Sequence, residues 1–279
     1  MKHVTPKTLI TLLAPVLGFA MTGYAAEPQD AAVHETEAQE VAHEAGTGAG
    51  RLQLTVSPYA WGAGMRGTST VGRSTSDVDV DLDQVLDKLK MGAMLDLHLE
   101  KGRWGAQMNL LYVGMGATVD GWSGTDYGLG LTRRKTDLNL GLWIIELNGR
   151  YQLSANWEVL AGLRYYQMDV DIKIKNLMGL GFEIDDSKDW VDPIIGLQYA
   201  RRLGDRWSFV GRGDIGGFGV GSDFAWQASA LFEYRIKEDI SVAFGYRHLD
   251  WDYEDGSNRS EFGLDTYLTG PIAGMRFSF

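Results

Sequence analysis

The stretch "DFAWQASALFEYRI", residues 223 to 236, alternates apolar and polar side chains along most of its length. Side chains of a β-strand point to opposite faces in turn, so a period of two predicts one apolar face and one polar face. The run is longer than the roughly five or six residues of a common globular strand and suits a tilted transmembrane strand of about 9 to 11. The apolar face carries Phe224, Trp226, Ala228, Ala230, Phe232, Tyr234 and Ile236, and the polar face carries Gln227, Ser229, Glu233 and Arg235.

The same period recurs in "RLQLTVSPYAW" from residue 51, "RWGAQMNLLYV" from residue 103 and "NWEVLAGLRYY" from residue 156. The connections between such runs fall into two classes, which alternate along the chain. Short polar turns occupy residues 100–104, 153–157, 203–207 and 236–240, and longer loops are expected at 67–89, 117–135, 173–188 and 253–265. Short turns on one side and long loops on the other are typical of bacterial outer-membrane barrels.

The predicted fold is therefore all-β: a single antiparallel transmembrane β-barrel of about ten strands. An even number of strands puts both chain ends on the periplasmic side, with the short turns. Eight strands would follow if a run is miscounted, and twelve if a long loop hides a hairpin. The ten runs are residues 51–66, 90–100, 103–117, 136–152, 156–172, 189–202, 206–220, 224–236, 239–252 and 265–279.

The first 50 residues are expected to lie outside this barrel. Residues 1–26 contain Lys2 and Lys7 in a start that leads into the apolar run "LITLLAPVLGFAM", and they end on small residues, which predicts a secretory signal peptide. Residues 27–50 hold six acidic side chains and no Lys, Arg or aromatic residue, so we expect a flexible acidic periplasmic tail. The barrel would then occupy residues 51–279.

Composition excludes several classes of function. A formal net charge of -11 argues against a nucleic-acid partner. The absence of cysteine excludes disulfides, thiolate metal sites and thiol nucleophiles. We expect no cofactor and no metal site.

Aromatic residues mark the predicted membrane boundary. Trp104, Trp157 and Trp207 each follow a short turn, where amphipathic rings would line one rim of the barrel. The last strand ends in Phe279 after further apolar residues on the same face, and such an end resembles the signal recognised by the barrel-assembly machinery. Trp104, Trp157, Trp207 and Phe279 are thus the predicted aromatic girdle.

The polar faces of the strands bring charges of both signs into a narrow lumen. Charges in such a space must be paired or hydrated, so we expect a mostly plugged, salt-bridged interior. The predicted ion-pair network contains Asp96, Glu146, Arg150, Glu158, Arg164, Asp192, Arg212, Asp214, Glu233, Arg235, Arg247 and Arg276.

Several stretches together resemble a known family. They are "SPYAW" from residue 57, "LEKGRWG" from 99, "DWVDPIIG" from 189, "RGDIGGFGVGSDFAWQ" from 212 and "GYRHLDWDY" from 245. These look like a widespread family of uncharacterised proteobacterial outer-membrane β-barrels, grouped with OmpA-like transmembrane barrels. The resemblance covers nearly all of residues 51–279 and implies the fold and an outer-membrane location, but it brings no catalytic residues.

Three motifs contain residue types that could carry chemistry. His248 and Asp250 share a strand face near the outer rim, and an omptin-like hydrolase is one alternative built on them. "DVDVDLDQVLDKL", residues 77–89, lacks the Gly and Glu of an EF-hand and instead predicts an extended piece running into a short helix, which could cover the barrel mouth. The glycines after Arg212 precede a strand rather than a helix, so they predict a tight hairpin and not a phosphate loop.

The expected protein is a monomeric outer-membrane barrel with a structural role in the Gram-negative envelope and no enzyme activity. Its expected partners are membrane lipid, lipopolysaccharide and the assembly machinery. A narrow porin or small-solute uptake channel is the other alternative.

Overall fold

The fold was established from a computed structural model, which describes residues 51–71, 74–124, 131–176, 181–256 and 262–279. The signal peptide and acidic tail predicted for residues 1–50 lie outside these ranges. No helix in the described part of the chain is long and apolar enough to cross a bilayer.

Twelve strands and one helix form within the described residues. In chain order they are β1 (Gln53–Trp61), β2 (Gly64–Val71), β3 (Ser74–Val80), α1 (Leu82–Lys88), β4 (Leu89–Lys101), β5 (Trp104–Gly124), β6 (Leu131–Gln152), β7 (Trp157–Asn176), β8 (Gly181–Arg202), β9 (Trp207–Gly217), β10 (Phe224–Arg235), β11 (Ile240–Asp255) and β12 (Phe262–Ser278).

Ten of these strands close into a barrel. β1 pairs with β4, each strand from β4 to β12 pairs antiparallel with the next, and β12 returns to β1. The seam ends where the Phe279 N–H donates to the Leu54 carbonyl at 2.8 Å and the Leu54 N–H donates back at 3.3 Å. The predicted antiparallel barrel is confirmed. A closed barrel satisfies backbone hydrogen bonds in every strand, as lipid surroundings demand.

The first predicted strand, residues 51–66, is wrong as a single element. The strand is interrupted at Gly62 and Ala63, between β1 and β2. β2 then pairs with the first half of β12, from Phe262 to Thr269. β2 forms a hairpin with β3, so the loop predicted at 67–89 contains strands as well as α1. The predicted extended piece and short helix are present, and β3 pairs with β2 as the last strand of the sheet.

The three other long loops were also predicted too long. β5, β6, β7 and β8 extend well beyond the predicted strand ends and measure 20 to 22 residues. β11 and β12 pair as far as Asp255 and Phe262. Strand pairing rests on backbone hydrogen bonds and needs no apolar outer row, so it continues where the alternation in the sequence fades.

The glycine-rich stretch closes a hairpin, as predicted. β9 ends at Gly217 and β10 begins at Phe224, with a turn between them. Gly217 has φ +83°, and a Cβ there would lie 2.6 Å from the Ser222 carbonyl oxygen, so the position requires glycine.

Candidate functional site

The outer surface of the barrel carries an aromatic ring pair next to three of the short turns. Trp104 lies 4.6 Å from Tyr151, Trp157 lies 4.9 Å from Tyr199 and Trp207 lies 5.0 Å from Tyr234, measured between ring centroids. The three tryptophans are exposed, and Phe279 at the chain end is 76% exposed. Each predicted tryptophan thus has a tyrosine partner on the neighbouring strand that the sequence reading missed.

A second aromatic row lies eight residues further along the same strands. Tyr112 and Trp143 stand 4.4 Å apart on β5 and β6, and Tyr165 and Trp226 hold the same position on β7 and β10. Eight residues span about 27 Å along a strand, or about 20 Å along the axis of a barrel with strands tilted by about 40°. The outward residues between the rows are apolar, and exposed examples are Leu147, Leu163, Ile195, Leu197, Phe232 and Phe244. This belt has the shape of a membrane-facing surface.

Inside the belt, two guanidinium groups and two carboxylates form a compact square, which we call the polar square. Arg164 donates to Glu146 Oε2 at 2.8 Å and to Asp214 Oδ1 at 2.7 Å. Arg212 donates to Glu146 Oε1 at 2.5 Å and to Asp214 Oδ2 from Nε at 3.0 Å. The side chains of all four are at most 8% exposed. Each carboxylate thus bridges two arginines, which is how buried charges are stabilised.

A second cluster lies closer to the short turns. Arg150 contacts Glu158 and also donates from Nη1 to His98 Nδ1. The other ring nitrogen of His98, Nε2, contacts the Asp96 carboxylate. Gln107 and Asn109 complete the shell of Asp96 with amide donors at 2.8 and 2.9 Å.

Asp192, which was predicted to belong to the ion-pair network, holds the β9–β10 turn through hydrogen bonds. Its carboxylate accepts the Ser222 backbone N–H at 2.6 Å and the Ser222 hydroxyl at 2.8 Å. The Trp190 indole N–H in turn donates to Ser222 Oγ at 2.9 Å. The turn is thereby tied to the inside of the barrel.

The remaining residues of the predicted ion-pair network differ in how deeply they are buried in the barrel. Glu233 and Arg276 pair at 3.0 Å near the short turns. Arg235 is exposed and donates to the Asp205 carbonyl on a short turn, so it lies outside the buried network. Arg247 is buried, yet within the described residues no carboxylate lies at salt-bridge distance from it; it donates to Gln227 and Tyr59.

The other half of the interior is apolar, a feature that sequence reasoning missed. Tyr166, Trp190 and Tyr253 stack in series, with centroids 4.9 and 4.2 Å apart, and Trp251 packs 5.4 Å from Tyr166. We call this cluster the apolar layer; its buried members are Trp61, Leu111, Ile144, Tyr166, Trp190, Ala225, Leu249, Trp251, Tyr253, Leu264 and Leu268.

A cavity of about 130 Å³ lies on the short-turn side of the apolar layer. It extends from Tyr59 and Arg247 to Glu233 and Arg276, and Arg276 keeps 33% of its side chain exposed. Its wall also includes Asp96, His98, Gln107, Asn109, Arg212, Gln227, Val210, Leu231, Ala243 and Ile272.

His248 and Asp250 lie on the outside of the barrel. Nε2 of His248 is 3.9 Å from Asp250, and its ring lies between Trp226 at 4.5 Å and Tyr267 at 5.1 Å. The pair therefore faces away from the lumen, at the level of the second aromatic row.

Beyond the second aromatic row the strands carry exposed charges. Lys188 pairs with Asp255 at 2.9 Å, and this hydrogen bond raises the pKa of the Lys188 ammonium. Arg66 contacts Asp81 at 2.6 Å and Asp79 at 2.9 Å, which raise the pKa of its guanidinium. In this region, and throughout the described residues, no group of acidic or histidine side chains has an arrangement that could hold a metal ion.

Comparison with known proteins gives distant structural likeness only. No family model and no curated protein sequence matches the chain. Among solved structures, the outer-membrane protease OmpT from Escherichia coli is 10% identical, with 82% of this chain and 96% of that chain covered and a TM-score of 0.48. The translocator domain of the autotransporter NalP from Neisseria meningitidis is 11% identical, covering 88% and 95%, with a TM-score of 0.42. Ail, the attachment invasion locus protein of Yersinia pestis, is 10% identical, covering 82% and 98%, with a TM-score of 0.35. Likeness at this level transfers no activity.

Proposed function

We propose that the chain is a monomeric outer-membrane β-barrel with a structural role in the envelope, a closed lumen and no enzyme activity. The observation that carries the proposal is the filling of the lumen in two layers. Arg164, Glu146, Arg212 and Asp214 join its walls through ion pairs, and the apolar layer packs beyond them.

The outer surface supports the membrane location. Two aromatic rows about 20 Å apart along the axis flank apolar side chains, as in barrels of the outer membrane. The short turns lie beside Trp104, Trp157 and Trp207, so this end faces the periplasm, and the extended hairpins face outward from the cell. Lipid contacts the belt, lipopolysaccharide adjoins the second aromatic row, and the strand ending in Phe279 meets the assembly machinery.

The closed lumen follows from the packing of the apolar layer on one side of the polar square, and the cavity lies on the other side. Water could pass only if the stacked rings of Tyr166, Trp190 and Tyr253 separated. Their side chains are 0 to 8% exposed, so this part of the interior is packed as tightly as a protein core. The lower cavity is consequently a blind pocket.

Liposome swelling tests this proposal against the rival reading, a narrow porin or uptake channel. The refolded chain is reconstituted into vesicles, which are then diluted into isosmotic solutions of sugars and amino acids of increasing size. We expect vesicles that contain the chain to swell at the same rate as protein-free vesicles for every solute. A general porin at the same ratio of protein to lipid is the positive control. Swelling that falls as solute size increases would contradict the closed lumen and establish a channel.

A further inference from the structure

The outward face of the barrel carries cations at the short-turn end. Lys101 lies directly opposite Trp104 in the β4–β5 ladder, and residues opposite each other share a face of the sheet, so Lys101 points outward with Trp104. Arg201 lies opposite Phe209 and two positions after Tyr199, so it shares their outward face. Both cations are exposed.

A third cation lies at the same level. Arg206, in the turn before β9, donates from Nη1 to the Tyr234 hydroxyl at 3.3 Å, and the Tyr234 ring is paired with Trp207. Within the described residues, no carboxylate lies at salt-bridge distance from Lys101, Arg201 or Arg206. We call these three side chains the basic rim. Each of the three tryptophan–tyrosine pairs at this end therefore has a cation without a counter-charge beside it.

The far boundary of the belt has the opposite character. Outward carboxylates at or beyond the second aromatic row include Asp169, Asp189, Asp250, Asp252 and Asp265. Cations there are held by neighbouring side chains, as in the pairs Arg66–Asp79, Lys173–Asp171 and Lys90–Asn139. The net charge of -11 is thus distributed unevenly, and positive charge without a partner faces outward at the short-turn end.

Acidic residues do not cancel the basic rim at physiological salt. Asp205 precedes Arg206 in the same turn but lies beyond salt-bridge distance from it. The acidic boundary is about 20 Å away along the barrel axis, whereas the screening length of physiological saline is about 8 Å. An anion that touches the basic rim therefore experiences the charge of the rim and little of the charge of the distant carboxylates.

We propose that the basic rim binds phospholipids whose headgroups carry a net negative charge, in the leaflet beside the short turns. The inference rests on the membrane location proposed above. The phosphate of such a lipid lies at the interface level that the tryptophan and tyrosine rings mark, within reach of the basic rim. A zwitterionic headgroup also contains a phosphate, but its ammonium group is repelled by the same cations, so the rim favours the net anion.

The guanidinium groups give this contact its direction. Arg206 keeps Nη1 on the Tyr234 hydroxyl, which orients the side chain and leaves other N–H groups to donate to phosphate oxygens. Arg201 offers the same planar fork, whereas the Lys101 ammonium acts as a point charge.

Spin-label EPR spectroscopy of the refolded chain in phosphatidylcholine vesicles tests the proposal. A spin-labelled lipid that touches a membrane protein gives a motionally restricted component in the spectrum. We expect the restricted fraction of spin-labelled phosphatidylglycerol to exceed that of spin-labelled phosphatidylcholine about twofold or more at about 0.1 M salt, and the ratio to fall towards one at about 1 M salt. A chain of net charge -11 that acted as a single charge would instead repel the anionic lipid.

Two triple variants with the same net charge locate the contact. Lys101→Gln, Arg201→Gln and Arg206→Gln together should bring the ratio close to one. The matched control removes three cations at the far boundary and should keep the ratio of the unaltered chain; it combines Arg66→Gln, Lys90→Gln and Lys173→Gln. Loss of the preference in both triple variants, or in neither, would contradict the assignment to the basic rim.

The same spectra separate this inference from the proposed function. A spectrum without a restricted component for either lipid would show that the chain is not in the bilayer, which overturns the membrane location and the lipid contact with it. Restricted components of equal size would leave the barrel in the membrane and overturn the lipid preference alone. Soluble glycerol phosphate at equal ionic strength should leave the ratio unchanged, and a ratio that fell to one would reassign the basic rim to free phosphates.

Discussion

At the scale of single residues, the interior is organised by how each charge finds its partner. Arg164 and Arg212 share Glu146 and Asp214, so that four ionised groups lie inside the barrel without a net charge. Removal of one member leaves a buried charge without compensation, which costs far more than the loss of an exposed pair.

Replacement of Glu146 by Gln should therefore lower the free energy of unfolding by about 3 to 5 kcal/mol. Urea unfolding of the protein in lipid vesicles measures the change. Asp79→Asn, which removes one exposed partner of Arg66, is the matched control and should cost less than about 1 kcal/mol. An equal decrease in the free energy of unfolding for the two variants would contradict the claim that the polar square stabilises the barrel.

Ser222 connects the β9–β10 turn to Asp192 and Trp190. Ser222→Ala removes the acceptor of the indole N–H and one donor to the carboxylate, while the backbone N–H still reaches Asp192. We expect a loss of about 1 to 3 kcal/mol in the free energy of unfolding, because buried polar groups lose their partners. Ser154→Ala, on an exposed short turn, should change it by less. An unchanged free energy of unfolding in the Ser222→Ala variant would show that the turn is stable without the bonds of the Ser222 hydroxyl.

At the scale of elements, β11 changes the phase of its alternation. Its lower outward residues are Phe244 and Tyr246, whereas its upper apolar residues, Trp251 and Tyr253, point inward and are buried. The period of two persists through the strand, but the apolar residues move from the lipid face to the lumen face. In the proposed membrane location, the phase change marks where the strand leaves the bilayer. Sequence reasoning followed the period and not the phase, so it missed the apolar layer.

Above this point the outward face of β11 is acidic. Burial, together with Asp265 and Glu254, raises the pKa of Asp252, and burial and Asp250 raise the pKa of Asp265. A carboxyl whose pKa is higher in the folded protein than in the unfolded chain destabilises the fold while it is ionised. This penalty is fully present above the folded pKa and disappears as pH falls towards the ordinary aspartate value of about 3.9.

Asp252→Asn should therefore protect the β11–β12 extension at neutral pH, and the gain should shrink as pH approaches about 4. Hydrogen–deuterium exchange of the peptide over residues 246–256 gives the readout, with rates corrected for the intrinsic effect of pH. Asp205→Asn at a short turn is the control and should leave this peptide unchanged. A gain that grows in acid would contradict the sign of the effect.

At the scale of the whole molecule, the barrel itself could be predicted because lipid imposes an apolar outer row on every strand it touches. Trp104, Trp157 and Trp207, which follow short turns, indicated one end of that row for the same reason. The hairpin of β2 and β3 and the extended strands could not be predicted, because outside the membrane no such row is required. The interior contacts join strands far apart in sequence, such as Arg212 with Glu146 and Arg247 with Tyr59, so only the closed barrel reveals them.

The apolar layer should act as the seal of the lumen. A chain carrying both Trp190→Ala and Trp251→Ala loses two buried indoles and should leak small ions in a vesicle assay. Trp143→Ala, on the outer surface at the second aromatic row, removes an indole from the lipid side and should leave the vesicles tight. Leakage that is equal in the two preparations would show that the indoles do not seal the lumen.

Single-channel recording in planar bilayers tests the central claim, a barrel that spans the membrane without conducting, most directly. Insertion of the refolded chain is verified in the same bilayers by tryptophan fluorescence, and current is recorded over a range of voltages. We predict a current indistinguishable from that of the bare bilayer, because the polar square and the apolar layer fill the lumen. Discrete, reproducible openings of the unaltered chain would contradict the account.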